Sequence, residues 1–187
     1  MKSLLAAVVV GAVVASAPFA HAQTGRATGN AAMVPLAVVE FTPGANASTM
    51  TVEAKRQLQA SIAFLLHDSR KFDVHDVRRT REASKSTLAA INTDASTDAA
   101  VKVGKQLGVS YVLAGMVTEY TPKGDGGFGY ATLKTRLVEV ATGKVVHSAE
   151  TVQKGTSEMR TTGATEMQTK VLKPAIEKLT AEILGKF

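Results

Sequence analysis

The stretch TDAAVKVGKQLGVSYVLAGMVTE, Thr97 to Glu119, decides the fold. Its first half reads as a short helix. Thr97 or Asp98 offers a side-chain oxygen to the unpaired amides of the first turn, and Val101, Val103 and Leu107 supply the inward face. Leu107-Gly108 is a stop, because left-handed backbone is cheap only for glycine. The run Tyr111 to Val117 is rich in β-formers and continuous rather than alternating, the pattern of a strand covered on both faces. A capped helix feeding straight into a buried central strand points to an α/β fold.

Toward the N-terminus, Val34-Pro35-Leu36-Ala37-Val38-Val39-Glu40-Phe41 is an apolar, β-branched run that reads as a first strand, closed by a Pro43-Gly44 turn. Over 51–68 the period becomes helical: Leu58, Ile62, Leu65 and Leu66 share a face, with Lys55, Arg56 and Gln59 expected in water. Phe72 to Val77 alternates and predicts a half-exposed strand at or near an edge. Arg78, Arg79, Arg81 and Lys85 follow with Glu82 in a weak helix ending near Asn92, read as a solvated face.

Toward the C-terminus, the glycine-rich segment 122–129 turns the chain into a strand over Tyr130 to Val140. There Leu133 and Leu137 face a core while Lys134 and Arg136 stay wet. Ala141-Thr142-Gly143-Lys144 is a tight turn, so Val145 to Val152 pairs back as a hairpin. From Thr165, the residues Met167, Val171, Leu172, Ile176, Leu179 and Ile183 hold helical spacing. Pro174 kinks that helix or restarts it from its first turn. The expected fold is α/β (α+β): a single three-layer-like domain over 33–187, with a mixed sheet of about five strands flanked by helices.

The chain of 187 residues carries no cysteine, which excludes disulfides, thiolate metal sites and a cysteine nucleophile. Lys2, the apolar run Leu4 to Val14 and Ala20-His21-Ala22 have the three parts of a secretory signal peptide, 1–22, with cleavage expected after Ala22. The apolar run is shorter than the roughly 20 residues that span a bilayer, so no transmembrane helix is expected in the mature chain. Residues 23–32 lack periodicity and read as a flexible leader. Export places the protein in the periplasmic space or at the outer membrane and separates it from nucleic acid. The formal net charge of +6 is mild.

Nothing in the residues calls for an enzyme. Gly124-x-Gly126-x-x-Gly129 has dinucleotide-fingerprint spacing but precedes a strand, where that chemistry needs a helix N-terminus. His67, His75 and His147 have no second ligand at metal spacing, and no Gly-x-Ser-x-Gly elbow is present. Neither a cofactor nor a metal is expected. The 124–129 segment instead reads as a mobile hairpin tip. Phe128, Tyr130, Lys134 and Arg136 are then the candidate partner-binding residues, since loops tolerate exposure and aromatic anchors concentrate binding energy.

Four segments carry a resemblance: 34–41 (VPLAVVEF), 70–74 (RKFDV), 104–120 (GKQLGVSYVLAGMVTEY) and 136–148 (RLVEVATGKVVHS). Together they resemble the CsgG/HfaB family of curli-secretion and holdfast-anchor proteins, whose α/β arrangement is similar to that of the penicillin-binding-protein activator LpoB and the TolB N-terminal domain. The resemblance implies a non-enzymatic periplasmic assembly module that binds envelope or secretion-system proteins, in a setting where homo-oligomers and peptidoglycan-associated partners are both compatible. Two alternatives stand beside it, a subunit of an outer-membrane curli-type channel and an LpoB-like activator of a peptidoglycan synthase. The chain lacks the acylated cysteine of curli channel subunits, and although Tyr130 to Val140 is long enough for a barrel strand, its expected partner Val112 to Tyr120 ends in Glu119 and no second pair of such strands is read.

Overall fold

The computed structural model describes residues 32–93 and 97–187. The expected signal peptide, and all of the expected leader except Ala32, lie outside the described residues. A six-stranded mixed sheet runs in the order β3-β1-β4-β5-β6, with β2 also on β4. The strands are β1 (Val34–Val38), β2 (Thr42–Asn46), β3 (Phe72–Val74), β4 (Tyr111–Thr121), β5 (Tyr130–Glu139) and β6 (Val145–Lys154). β1 pairs in parallel with β3 and β4, β2 in parallel with β4, and β4-β5-β6 is an antiparallel meander.

Alternation along β4 distributes side chains to two cores. Leu113 and Val117 join one cluster with Leu58, Ile62 and Leu66 of α1 (Val52–Asp68) and with residues of the C-terminal helix. Val112 and Ala114 join the other, under α3 (Leu88–Asn92) and α4 (Asp98–Leu107), with α2 (Val77–Ser84) alongside. The result is three layers with β4 at the centre, as the 97–119 stretch implies. Gly108 ends α4 at φ 69°, the left-handed stop read from the sequence, whereas Thr97 at the N-cap makes no side-chain cap hydrogen bond.

Several local readings need correction. Pro43-Gly44 does not close the first strand but sits inside β2, a strand of its own in a six-stranded sheet that agrees with the expected mixed sheet of about five. Proline is tolerated because β2 has a partner on one side only, so one missing N–H leaves no ladder bond broken on the other. Gln59 does not face water. It is fully buried and donates through Nε2 to Val38 O at 2.8 Å. The alternating run from Phe72 stops at Val74, because Asp76 caps α2 by accepting the Arg78 and Arg79 amides at 3.0 and 2.9 Å.

β1 and β2 lie end to end along the same side of β4, and the chain leaves the ladder between them. Phe41 drops into that gap, fully buried, with its ring over Gly115. A Cβ at Gly115 would meet Phe41 Cε1 at 2.4 Å and the Lys134 carbonyl at 2.7 Å, so what presses on this strand is an aromatic ring and the next strand's backbone. From the opposite face, the Asn92 carboxamide takes the place of a missing peptide unit: Nδ2 donates to Glu40 O at 2.8 Å, and Oδ1 accepts the Gly115 amide at 2.9 Å.

Gly115→Ala must displace either the ring or the β5 backbone. The expected cost is about 1–3 kcal/mol, read as a lower chemical-denaturation midpoint with an unchanged slope.

Candidate functional site

The β5-β6 hairpin builds the candidate surface. Tyr130, Thr132, Lys134 and Arg136 share one face of β5, and the register places Lys154, Val152, Glu150 and Ser148 opposite them on β6. Further down the same face, Val138 is covered by the α3–α4 core. Above it the face is left bare, joined by Met116 and Thr118 of β4 beside Asn92 and Thr93 at the end of α3.

The sequence-read residues part company here. At the tip, Lys154 Nζ lies 4.0 Å from the Phe128 ring centroid and 5.9 Å from that of Tyr130, so one cation is shared by two aromatic rings. Midway along the hairpin, Lys134 Nζ stands 3.8 Å from Glu150 Oε2, both side chains about half exposed. Arg136 points elsewhere: Nη2 donates to Ile91 O at 2.6 Å and to Thr93 O, holding the end of α3 that carries Asn92. Lys154, Glu150, Met116 and Val152 were missed. The tight turn at 141–144 does not give the first two by itself, because a bulge between Leu137 and Val138 shifts the β5-β6 register by one residue beyond it.

The tip is not the loose loop expected from its glycines. The Gly124 amide donates to Phe128 O at 2.7 Å, Met159 N–H to Gly127 O at 2.8 Å, and Gly155 N–H to Gly129 O at 2.8 Å. Gly129 is pressed so closely that a Cβ would meet Met167 Sδ at 2.8 Å. The support comes from the C-terminal helix, built of α5 (Ala164–Met167), a π-helical turn (Gln168–Leu172) and α6 (Lys173–Leu184). Pro174 in the first turn of α6 has no N–H for the carbonyl four residues earlier. That carbonyl, Lys170 O, accepts Thr156 N–H at 3.0 Å, and Lys170 Nζ donates to Glu158 O at 2.6 Å. A helix interruption is thus converted into an anchor for the loop that braces the tip.

Glu166 completes the brace. Lys170 Nζ, 2.7 Å away, and the Thr161 amide, donating at 2.6 Å, hold its carboxyl down at about 2. Elsewhere, a groove of about 390 Å³ runs between α1 and the C-terminal helix beside Phe64, which is 66% exposed. Among the described residues no group of His, Cys, Asp and Glu side chains is placed to hold a metal ion, and no helix is long and apolar enough to cross a membrane.

The family model of the peptidoglycan-synthase activator LpoB matches residues 20–152, well over half of the chain. No curated protein matches. Among solved structures, lipoprotein GNA1162 from Neisseria meningitidis is similar at 18% identity and TM-score 0.53, over 81% of this chain and 99% of that one. A PelC dodecamer from Paraburkholderia phytofirmans is similar at 20% identity and TM-score 0.51, over 80% and 87%. The LpoB C-terminal domain from Escherichia coli aligns at 17% identity and TM-score 0.46, over 64% and 81%. At such identities the first two likenesses establish the fold. The family match overturns the expected CsgG/HfaB membership, and with it the curli assembly and secretion-channel readings. The four resembling segments carry the shared α/β frame, which does not separate these families.

Because the folded state postpones protonation of Glu166, its carboxylate contributes stability that is whole above the ordinary carboxyl value of 4.5 and is lost as pH falls toward about 2. Glu166→Gln should therefore narrow the gap between denaturation midpoints measured at pH of about 5 and about 2.5, relative to the unsubstituted protein.

Proposed function

The chain belongs to the peptidoglycan-synthase activator LpoB family, and from that premise we propose that it is an exported envelope protein that binds a peptidoglycan synthase and raises its activity, catalysing nothing itself. The contact is made by the bare face of the β5-β6 hairpin, with Phe128 and Tyr130 as aromatic anchors and Lys134 on the adjoining strand. The observation that carries this reading is the uncovered upper half of that face, next to a tip braced in place. A rigid strand platform presents its side chains at little ordering cost, and a partner gains most from large rings already held in position.

Lys154 contributes by seating both rings, and the Lys134–Glu150 pair leaves a mixed-charge border suited to a polar rim. Arg136 has a different part. Engaged with the Ile91 and Thr93 carbonyls, it keeps the α3 end in place beneath the surface and is not itself a contact. The periplasmic location and the boundary at Ala22 belong to the same proposal, because a synthase of the cell wall is met only after export.

The test is the rate of glycan-strand synthesis by the cognate synthase at increasing concentrations of this protein. Phe128→Ser combined with Tyr130→Ser should raise the concentration needed for half-maximal stimulation by roughly tenfold or more, the scale of losing a hot spot. The circular-dichroism spectrum should be unchanged. Arg136→Ala should lower the melting temperature instead, with stimulation intact below the melt. Full stimulation by the folded double variant would exclude this surface.

A further inference from the structure

Among the described residues the sheet ends at β6, which has β5 on one side only. Which backbone groups face the free side follows from one hydrogen bond. Gly155 N–H donates to Gly129 O at 2.8 Å, so 129 and 155 form a hydrogen-bonded pair of the antiparallel ladder. Bonded and non-bonded pairs alternate, and with Tyr130 opposite Lys154 and Thr132 opposite Val152, the odd residues of β6 from 149 to 153 bond to β5. Ser148, Glu150, Val152 and Lys154 therefore turn their N–H and C=O groups outward. The side chain of Gln153 covers one of them, donating through Nε2 to Lys154 O at 2.6 Å.

The side chains on this edge are self-complementary. Val152 is 60% exposed, with Glu150 two residues before it and Lys154 two residues after. Natural edges are usually guarded by charge that repels a second edge. Here the two guards have opposite sign and stand at equal distances from an apolar residue. We propose that the free edge of β6 pairs with the β6 edge of a second copy, antiparallel about a two-fold axis through Val152.

The register is then fully determined. Val152 of each copy exchanges N–H···O=C bonds with Val152 of the other, which needs a residue whose backbone points outward, and Val152 is one. Glu150 of each copy lies opposite Lys154 of the other, so two oppositely charged cross-strand pairs flank a valine pair. A register one residue away would match outward groups with inward ones. A register centred on Glu150 would set that carboxylate against its own copy. Gln153 must release the Lys154 carbonyl as the Glu150 amide of the other copy takes it. The two bare hairpin faces become continuous across the axis, and the pairing stands independently of the synthase reading.

The test is sedimentation velocity of the full chain over a wide range of concentration, at low and moderate salt. The expected result is a monomer–dimer equilibrium with no larger species, since a two-fold contact closes. Val152→Pro removes an outward N–H that makes no bond to β5, so the monomer should fold normally while the dimer disappears. Glu150→Lys sets like charges opposite each other at both symmetric positions and should weaken association at least about tenfold. Adding Lys154→Glu restores opposite signs and should recover it. If Val152→Pro impairs folding, the charge exchange decides alone. A monomer at every concentration, or a dimer indifferent to both the proline and the charge exchange, overturns the proposal.

Discussion

The fold depends on how one gap in the sheet is filled. β4 needs a hydrogen-bonding neighbour along its whole length, but β1 supplies it only as far as Val39 and β2 resumes at Thr42. An unpaired amide at the buried centre of a sheet costs about 1–3 kcal/mol, a large share of the stability of a small domain. Asn92 removes that cost by bridging Glu40 O and Gly115 N–H; on the other side of β1, past the end of β3, Gln59 satisfies Val38 O. Phe41 fills the remaining space, which is available only because residue 115 is glycine. Arg136 then fixes Asn92 by grasping the carbonyls on both sides of it. One gap thus links α1, α3, β4 and β5, and the bare hairpin face sits directly above it.

Much of this frame was legible in the residues. The helix over Asp98 to Leu107, the glycine stop at 108, the central strand from Tyr111 and the hairpin turn at Gly143 each follow from local pattern, and the structure shows them. What was not legible shares a physical reason. Gln59, Asn92 and Arg136 are polar residues whose partners lie 21, 23 and 43 positions away or more, and no local period marks a side chain that substitutes for a peptide group. Gln59 and Arg136 were read as surface because polar residues usually are, and Asn92 only as the end of a weak helix. The second parallel strand was hidden by Pro43-Gly44, which has the composition of a turn.

The candidate surface divides in the same way. Phe128 and Tyr130 lie where the sequence suggests, but their stiffness comes from residues far along the chain. The Gly127 and Gly129 carbonyls are held by the loop after β6, and that loop is held by a carbonyl that Pro174 leaves unclaimed. A glycine-rich segment read alone suggests freedom, whereas this one is ordered by a helix defect more than forty residues later. The family resemblance erred for a related reason. The segments that carried it build the central strand and the hairpin, which are features of the fold, and function lies in what is grafted upon a fold.

The central claim is that the bare face of the hairpin is where the synthase docks. Hydrogen–deuterium exchange of this protein, alone and saturated with the synthase, tests it most directly. The account predicts added protection in peptides covering 116–121, 128–134 and 148–154, with α1 unchanged. Protection confined to α1 and the groove beside Phe64, with the hairpin exchanging as in the free protein, would contradict it.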